Sequence, residues 1–165
     1  MLRDKNLVPL SRQHQHALAL CVRINRAGPS SPTELEAWQS EIQQHYEQEI
    51  QYHFDAEEAH LFPEADKFPE LSELVEQLRD EHKRLRRDFA EATARSLDAQ
   101  RVRDFAELLS THIRKEEREL FEGMQNKMAP EELGRIGHGL NEVLGQVPEA
   151  CIVPTEFVLR QAKQD

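Results

Sequence analysis

Two stretches of the sequence place a histidine four residues before a glutamate. His53 precedes Glu57 in His-Phe-Asp-Ala-Glu-Glu-Ala-His-Leu-Phe-Pro, and His112 precedes Glu116 in His-Ile-Arg-Lys-Glu-Glu-Arg-Glu-Leu-Phe. Residues at this spacing lie on one face of an α-helix, one turn apart, so an imidazole and a carboxylate can reach a single metal ion together. The repeat indicates two helices that bring equivalent ligand pairs to one site.

Apolar residues at three- and four-residue intervals predict the long helices that would position these pairs. We expect them at about residues 7–27, 33–61, from 69 or 70 through 89, and 99–128. Thr33 and Glu36 have the form of a capping box that would begin the second helix, and Pro63 is expected to end it near Leu61. The segment after Pro148 is consistent with either a last short helix or an irregular tail.

Four long helices with short connections predict an all-α protein. We expect an antiparallel up-down-up-down four-helix bundle with a short C-terminal helix and tail. At 165 residues, the chain has the length of one domain. That domain would span residues 1–165, with the core bundle at about 7–128 and the short helix and tail at 129–165.

The charge balance excludes some classes of partner. The chain has 21 Lys and Arg against 31 Asp and Glu, a net charge of −10, which argues against nucleic acid and against an anionic membrane. No apolar run approaches the ~20 residues of a membrane span, and the first residues lack the apolar core of a signal peptide. We therefore expect a cytoplasmic protein.

Each predicted long helix carries a histidine in its apolar seam. The candidate ligands are these four histidines and the two repeated glutamates: His14, His53, Glu57, His82, His112 and Glu116. Unpaired, each buried ionisable group would cost several kcal/mol, so we expect cations to compensate them. The set is too large for one tetrahedral zinc ion. Two ions, each held by two histidines and sharing both carboxylates as bridges, would use every ligand.

The donor types narrow the choice of metal. Imidazole and carboxylate without thiolate suit iron, manganese or zinc. We favour iron, because two partly open, redox-active ions would give the site a chemical function.

The remaining histidines and two further glutamates are expected to have other roles. We interpret five of these residues as surface or supporting groups: His16, His45, His138, Glu58 and Glu117. His60 lies one turn beyond the predicted site on the inward side of its helix, and its role as a further ligand stays open.

Taken together, these motifs resemble the hemerythrin-like family, the HHE cation-binding domains. The resemblance covers about residues 10–128. It rests on Leu10-Ser-Arg-Gln-His14, His53-x-x-x-Glu57-Glu58-x-x-Leu-Phe-Pro, Glu81-His82 and His112-x-x-x-Glu116-Glu117-x-x-Leu-Phe. It implies a four-helix bundle around two oxo- or hydroxo-bridged iron ions, with zinc or manganese as substitutes. Such a centre would bind oxygen, nitric oxide or a related small molecule.

One departure from the family concerns the third helix. Oxygen carriers of the family have a second histidine four residues after the first, whereas the residue four after His82 is Arg86. Because arginine stays protonated, we expect an open position beside His82, which favours reaction over reversible oxygen carriage.

The sequence thus predicts a non-haem di-iron protein that binds or senses oxygen, nitric oxide or iron itself. Its redox or signalling protein partner is not identified by the sequence. The alternative is a di-iron enzyme of the nitrosative or oxidative stress response, which would reduce nitric oxide or peroxide or donate iron for repair. We favour a metal-binding or sensing protein over a dedicated enzyme.

Overall fold

The computed structural model describes residues 2–148 and 150–162, and within these ranges the chain forms six helices and no strand. The helices are α1 (Val8–Ala27), α2 (32–65), α3 (Pro69–Thr93), α4 (99–127), α5 (Pro130–Leu144) and α6 (Thr155–Gln161). Helix α2 contains π-helical turns at Tyr46–Ile50 and Glu57–Leu61, and α4 contains one at Glu116–Leu120. The all-helical class predicted from the sequence is confirmed.

Helix α2 begins earlier than the sequence predicted. The side chain of Ser31 accepts the backbone N–H of Glu34 at 3.2 Å, and Pro32 is the first helical residue. The predicted capping role of Thr33 is therefore wrong. Proline suits the first turn of a helix, because its missing N–H has no partner there, so Ser31 takes the capping position.

Helix α2 also ends later than predicted, because it continues through Pro63 to Ala65. Pro63 is the second residue of the segment Phe62–Ala65, directly after the π-helical turn Glu57–Leu61. The regular hydrogen-bond pattern is already interrupted at this turn, so the missing N–H of proline disrupts little.

The first four helices and α5 contribute most of the residues of the core. Helix α1 packs along the Ala99–Lys115 part of α4, and α3 packs against both α2 and α4. Buried apolar side chains form two clusters. One includes Ile24, Phe89 and Phe105, and the other includes Leu10 and Phe121. No helix in the described ranges combines the length and apolarity of a membrane span.

Helix α5 approaches α2 closely at a glycine. A Cβ atom on Gly139 would lie 2.5 Å from Nδ1 of His60, so a side chain at this position would force the His60 ring to move. The His60 ring thus packs against the backbone of α5, which explains its inward position without a role at the metal site.

Residues 150–162 lie along α2 and include the short helix α6. Alternate backbone N–H groups of this segment are donated to side chains of α2: Cys151 to Gln48 Oε1 at 2.7 Å, Val153 to Gln44 Oε1 at 3.0 Å and Thr155 to Glu41 Oε2 at 2.8 Å. Both forms that the sequence left open, an irregular stretch and a last short helix, are therefore present.

Candidate metal centre

The structure brings all six candidate ligands together between α1, α2, α3 and α4. The side chains of His14, His53, Glu57, His82, His112 and Glu116 are buried, with at most 4 % of any residue exposed. Along α1, His14 lies between Leu10 of one apolar cluster and Ala17 of the other. Along α3, His82 lies between Leu78 and Leu85 in the same way. The six residues thus form a polar layer between the two apolar clusters.

A π-helical turn begins at each of the two glutamates. The N–H of Phe62 is donated to the carbonyl of Glu57, and the N–H of Phe121 to that of Glu116, each five residues back. Such turns are rare and occur often at functional sites, because the wider turn changes the direction in which side chains point. The same distortion at both equivalent glutamates indicates that it serves the site.

The ligand atoms form two groups that share both carboxylates. One group is His14, His53, Glu57 and Glu116, and the other is Glu57, His82, His112 and Glu116. Within each group, one atom from every residue lies within 4.8 Å of the others. The Nε2 atoms of His14 and His53 are 2.9 Å apart, and those of His82 and His112 are 3.1 Å apart.

Each carboxylate directs its two oxygens at different histidine pairs. Oε1 of Glu57 lies 3.1 Å from His53 Nε2, whereas its Oε2 lies 3.5 Å from His82 Nε2. Oε2 of Glu116 lies 3.2 Å from His14 Nε2, whereas its Oε1 lies 3.3 Å from His112 Nε2. Both carboxylates are therefore placed to bridge two cations.

The oxygens of these carboxylates need a partner that the protein does not supply. Among the described residues, both oxygens of Glu57 and both of Glu116 are buried without a hydrogen-bond partner. A buried ionised carboxylate left in this state is strongly destabilising, and cations are the usual compensation. The residues present therefore fit a pair of metal ions.

The outer nitrogen of every histidine is held by a polar side chain. The four contacts are His14 Nδ1 to Glu117 Oε1 at 2.7 Å, His53 Nδ1 to Gln13 Oε1 at 2.8 Å, His82 Nδ1 to Glu58 Oε1 at 2.7 Å and His112 Nδ1 to Glu81 Oε2 at 3.0 Å. Each oxygen accepts an Nδ1–H, which leaves the Nε2 lone pair free to face a metal.

Two of these supporting residues had no predicted role. Glu58 and Glu117 were interpreted as supporting groups, but Gln13 and Glu81 were not identified. A signal was present, since each directly precedes a candidate histidine in the sequence. Each supports a histidine on a neighbouring helix, however, which local spacing cannot reveal.

The charges of the site are arranged to keep the carboxylates ionised. Burial lowers the pKa of His14, but Glu116 and Glu117 outweigh this effect and raise the pKa to about 9. Burial likewise opposes protonation of His112, whereas Glu116 and Glu81 raise its pKa to about 10. The pKa of Glu116 lies well below its usual range, although burial raises it, because His112 and His14 favour the ionised form. In the protein without metal, the raised pKa values of His14 and His112 favour protonated imidazoles, which offset part of the carboxylate charge.

Arg86 does not face the centre. Its guanidinium contacts Tyr46 Oη at 3.3 Å, Asp55 Oδ1 at 3.0 Å and Glu58 Oε1 at 3.2 Å. The ring of Phe54 instead stacks on His82, with centroids 3.8 Å apart. The open metal position that the sequence predicts beside His82 stays a prediction.

A small cavity lies beside the centre. It measures about 10 Å³, as the space open to the centre of a water molecule, and it borders His14, His53, His112 and Glu116. This volume suits about one water-sized molecule. Its remaining wall is mainly apolar and is formed by Gln13, Ala17, Ile50, Phe54, Leu109 and Ile113.

The other histidines lie outside the two groups. His16 is exposed and contacts Glu49 at 3.0 Å, and the side chain of His138 is 80 % exposed. The interpretation of His45 as a surface residue is wrong, because the residue is only 4 % exposed. The segment that contains Thr155 covers this face of α2, and His45 Nε2 lies 3.7 Å from Glu41 Oε1.

Comparison with known proteins agrees with this geometry. The family model of the hemerythrin HHE cation-binding domain matches residues 8–123, which include all six candidate ligands. Neither the curated proteins nor the solved structures yielded a match to the chain. The match covers most of the chain, and the matched residues supply the His and Glu groups described above. The chain therefore belongs to the hemerythrin HHE cation-binding domain family.

Proposed function

We propose that this protein holds two iron ions within an antiparallel four-helix bundle of α1–α4 and binds a small diatomic molecule, oxygen or nitric oxide, beside them. His14 and His53 would hold one ion, His82 and His112 the other, and Glu57 and Glu116 would bridge both. The observation that carries the proposal is the division of each carboxylate between the two histidine pairs.

The donor set supports iron as the metal. Imidazole nitrogen and carboxylate oxygen suit iron, zinc and manganese, and the two groups contain no thiolate. A structural zinc site would be closed by four ligands to one ion, whereas here six residues serve two positions. Iron at both positions would supply the redox chemistry that a site for oxygen or nitric oxide requires.

The cavity supports a diatomic ligand. It is only about 10 Å³ in size and touches His14, His53 and His112 directly, so an organic substrate does not fit. The part of its wall that is formed by Ala17, Ile50, Leu109 and Ile113 is apolar and suits a small gas molecule. We favour a binding or sensing role, and nitric oxide or peroxide reduction is the enzymatic alternative.

Anaerobic reconstitution with iron(II) tests the dinuclear site. We expect about two iron ions per chain, and about one or fewer in the Glu57→Gln and Glu116→Gln variants. Glu119→Gln is the matched control, since Glu119 is an exposed residue of the same π-helical turn as Glu116. A stoichiometry of one in the unaltered protein, or equal loss in the control, would contradict the proposal.

Exposure of the reduced protein to nitric oxide separates binding from catalysis. A binding protein should take up a stoichiometric amount, seen by its absorption spectrum, and release it when the gas is removed. An enzyme should instead consume many equivalents when an excess of reductant is supplied. Sustained turnover would therefore favour the enzymatic alternative.

A further inference from the structure

The two halves of the centre have the same kinds of metal-facing side chains but differ at one pair of supporting residues. Helices α1 and α3 each contribute one histidine, and α2 and α4 each contribute a histidine, a bridging glutamate and a supporting glutamate. In this correspondence, His53 in one half matches His112 in the other. The side chain that holds Nδ1 is Gln13 for His53 but Glu81 for His112.

These two contacts have similar geometry and different charge. The Nδ1 to oxygen distance is 2.8 Å at Gln13 and 3.0 Å at Glu81. An amide is neutral in either orientation of its side chain, whereas a carboxylate carries a negative charge. A carboxylate that accepts from Nδ1 increases electron density at Nε2 and strengthens its bond to a metal, and such supporting contacts change metal affinity by about 10- to 100-fold.

The remaining supporting groups do not cancel this difference. Glu58, which holds His82, is paired with Arg86. Glu117, which holds His14, is paired with Arg3. The supporting groups of His82 and His14 therefore carry the same charge. Lys115 contacts the other oxygen of Glu81, Oε1, and reduces its effect in part. The Lys115 side chain is only 28 % exposed, so water screens this ion pair only in part. We therefore expect an effect near the lower end of the range.

From this asymmetry we propose that the position held by His82 and His112 binds a divalent cation more tightly than the position held by His14 and His53. The position held by His82 and His112 therefore fills first and empties last. The small cavity borders His14 and His53 of the weaker position and His112 of the tighter one, so both cations would lie beside the proposed site of the small molecule. This inference rests on the proposed dinuclear centre.

Stepwise addition of cobalt(II) to the metal-free protein, in competition with a chelator, tests the order of filling. Cobalt(II) is followed by its visible absorption, so the readout is metal affinity rather than activity. We expect two binding steps that differ by about tenfold or more in dissociation constant. His82→Ala should remove the tighter step, and His14→Ala the weaker one.

Two reciprocal variants test whether the charge of the supporting side chain causes the difference in affinity. Glu81→Gln should weaken the tighter step about tenfold and bring the two steps together, whereas Gln13→Glu should tighten the weaker step by a similar factor. Gln13→Glu keeps the inference testable if Glu81→Gln disturbs folding, because it adds a carboxylate without removing one. Helical circular dichroism of each variant checks that it folds.

The outcomes separate this inference from the proposed function. Binding of only one cobalt ion by the unaltered protein would overturn the dinuclear centre. Two ions of equal affinity, or a tighter step that resists Glu81→Gln in a folded variant, would overturn the inference and leave the centre intact.

Discussion

Glu57 and Glu116 direct carboxylate oxygens to within 4.8 Å of each other in the interior, where neither residue has any exposed surface. Two like charges at this distance in a medium of low polarity repel strongly. Protons on His14 and His112 offset this repulsion only in part. A pair of cations would compensate it fully, and this relationship determines how the protein should respond to loss of metal.

Removal of metal should lower the free energy of unfolding by several kcal/mol at neutral pH, because the buried carboxylates lose their counterions and metal binds only the folded state. Thermal unfolding of the chelator-treated and iron-reconstituted forms measures the effect. Addition of iron to the treated sample is the control and should restore the midpoint. Equal midpoints with and without metal would show that the centre contributes little to stability.

Ala17→Leu should block the small cavity. Ala17 is 4 % exposed and forms part of the apolar wall, so the larger side chain would occupy the space proposed for the diatomic ligand. We expect at least about a tenfold loss in nitric oxide affinity, or ~1.4 kcal/mol, while the iron content stays the same.

Ala106→Leu is the matched control for the cavity. Ala106 is fully buried in the same apolar cluster but does not line the cavity. Both substitutions should cost roughly 1–3 kcal/mol in stability through overpacking. Equal nitric oxide affinities in the two variants would place the ligand elsewhere.

Gly139→Ala and Gly134→Ala should change stability in opposite directions. A Cβ on Gly139 would meet the His60 ring at 2.5 Å, whereas a Cβ on Gly134, in the same helix, meets no atom within 4 Å. Gly139→Ala should therefore destabilise the fold by roughly 1–3 kcal/mol. Gly134→Ala should stabilise it by roughly 0.5–1 kcal/mol, because alanine has the better helix propensity.

Urea unfolding measures both glycine variants. A second substitution, His60→Ala, identifies the cause, since it removes the ring that the new methyl group meets. Gly139→Ala should be better tolerated in that background. An unchanged cost would assign the effect to another contact.

Glu41 should make stability depend on pH in the acid range. Burial raises the pKa of its carboxyl, but contacts with His45, Arg23 and Thr155 outweigh burial and lower it from 4.5 to about 2. Because the pKa is lower in the folded state, the stabilisation is complete above the unfolded value and is lost as the pH falls from about 4.5 towards 2. Its size is on the order of 3 kcal/mol.

Comparison with Glu41→Gln isolates this contribution, because the other carboxyl groups titrate equally in both proteins. The difference in unfolding free energy should be largest at neutral pH and should narrow below pH 4.5. The metal-free protein is used, so that loss of metal in acid does not interfere. A difference that stays constant with pH would contradict the assignment.

The sequence by itself determined which residues could share the interior. Helical periodicity is a local property, so the intervals around His14, His82 and the two His-x-x-x-Glu pairs predicted one inward face on each long helix. The all-helical class followed from the same pattern. The family followed too, because its motifs are short and contiguous.

Only the tertiary structure decided which residues meet across helices. The pairing of His14 with His53 depends on how the helices pack side by side, and so does the support of His112 by Glu81. The π-helical turns at the glutamates, the cavity beside Ala17 and the burial of His45 under the C-terminal segment have the same origin. These features arise from contacts between residues distant in the chain, and local spacing carries no information about such contacts.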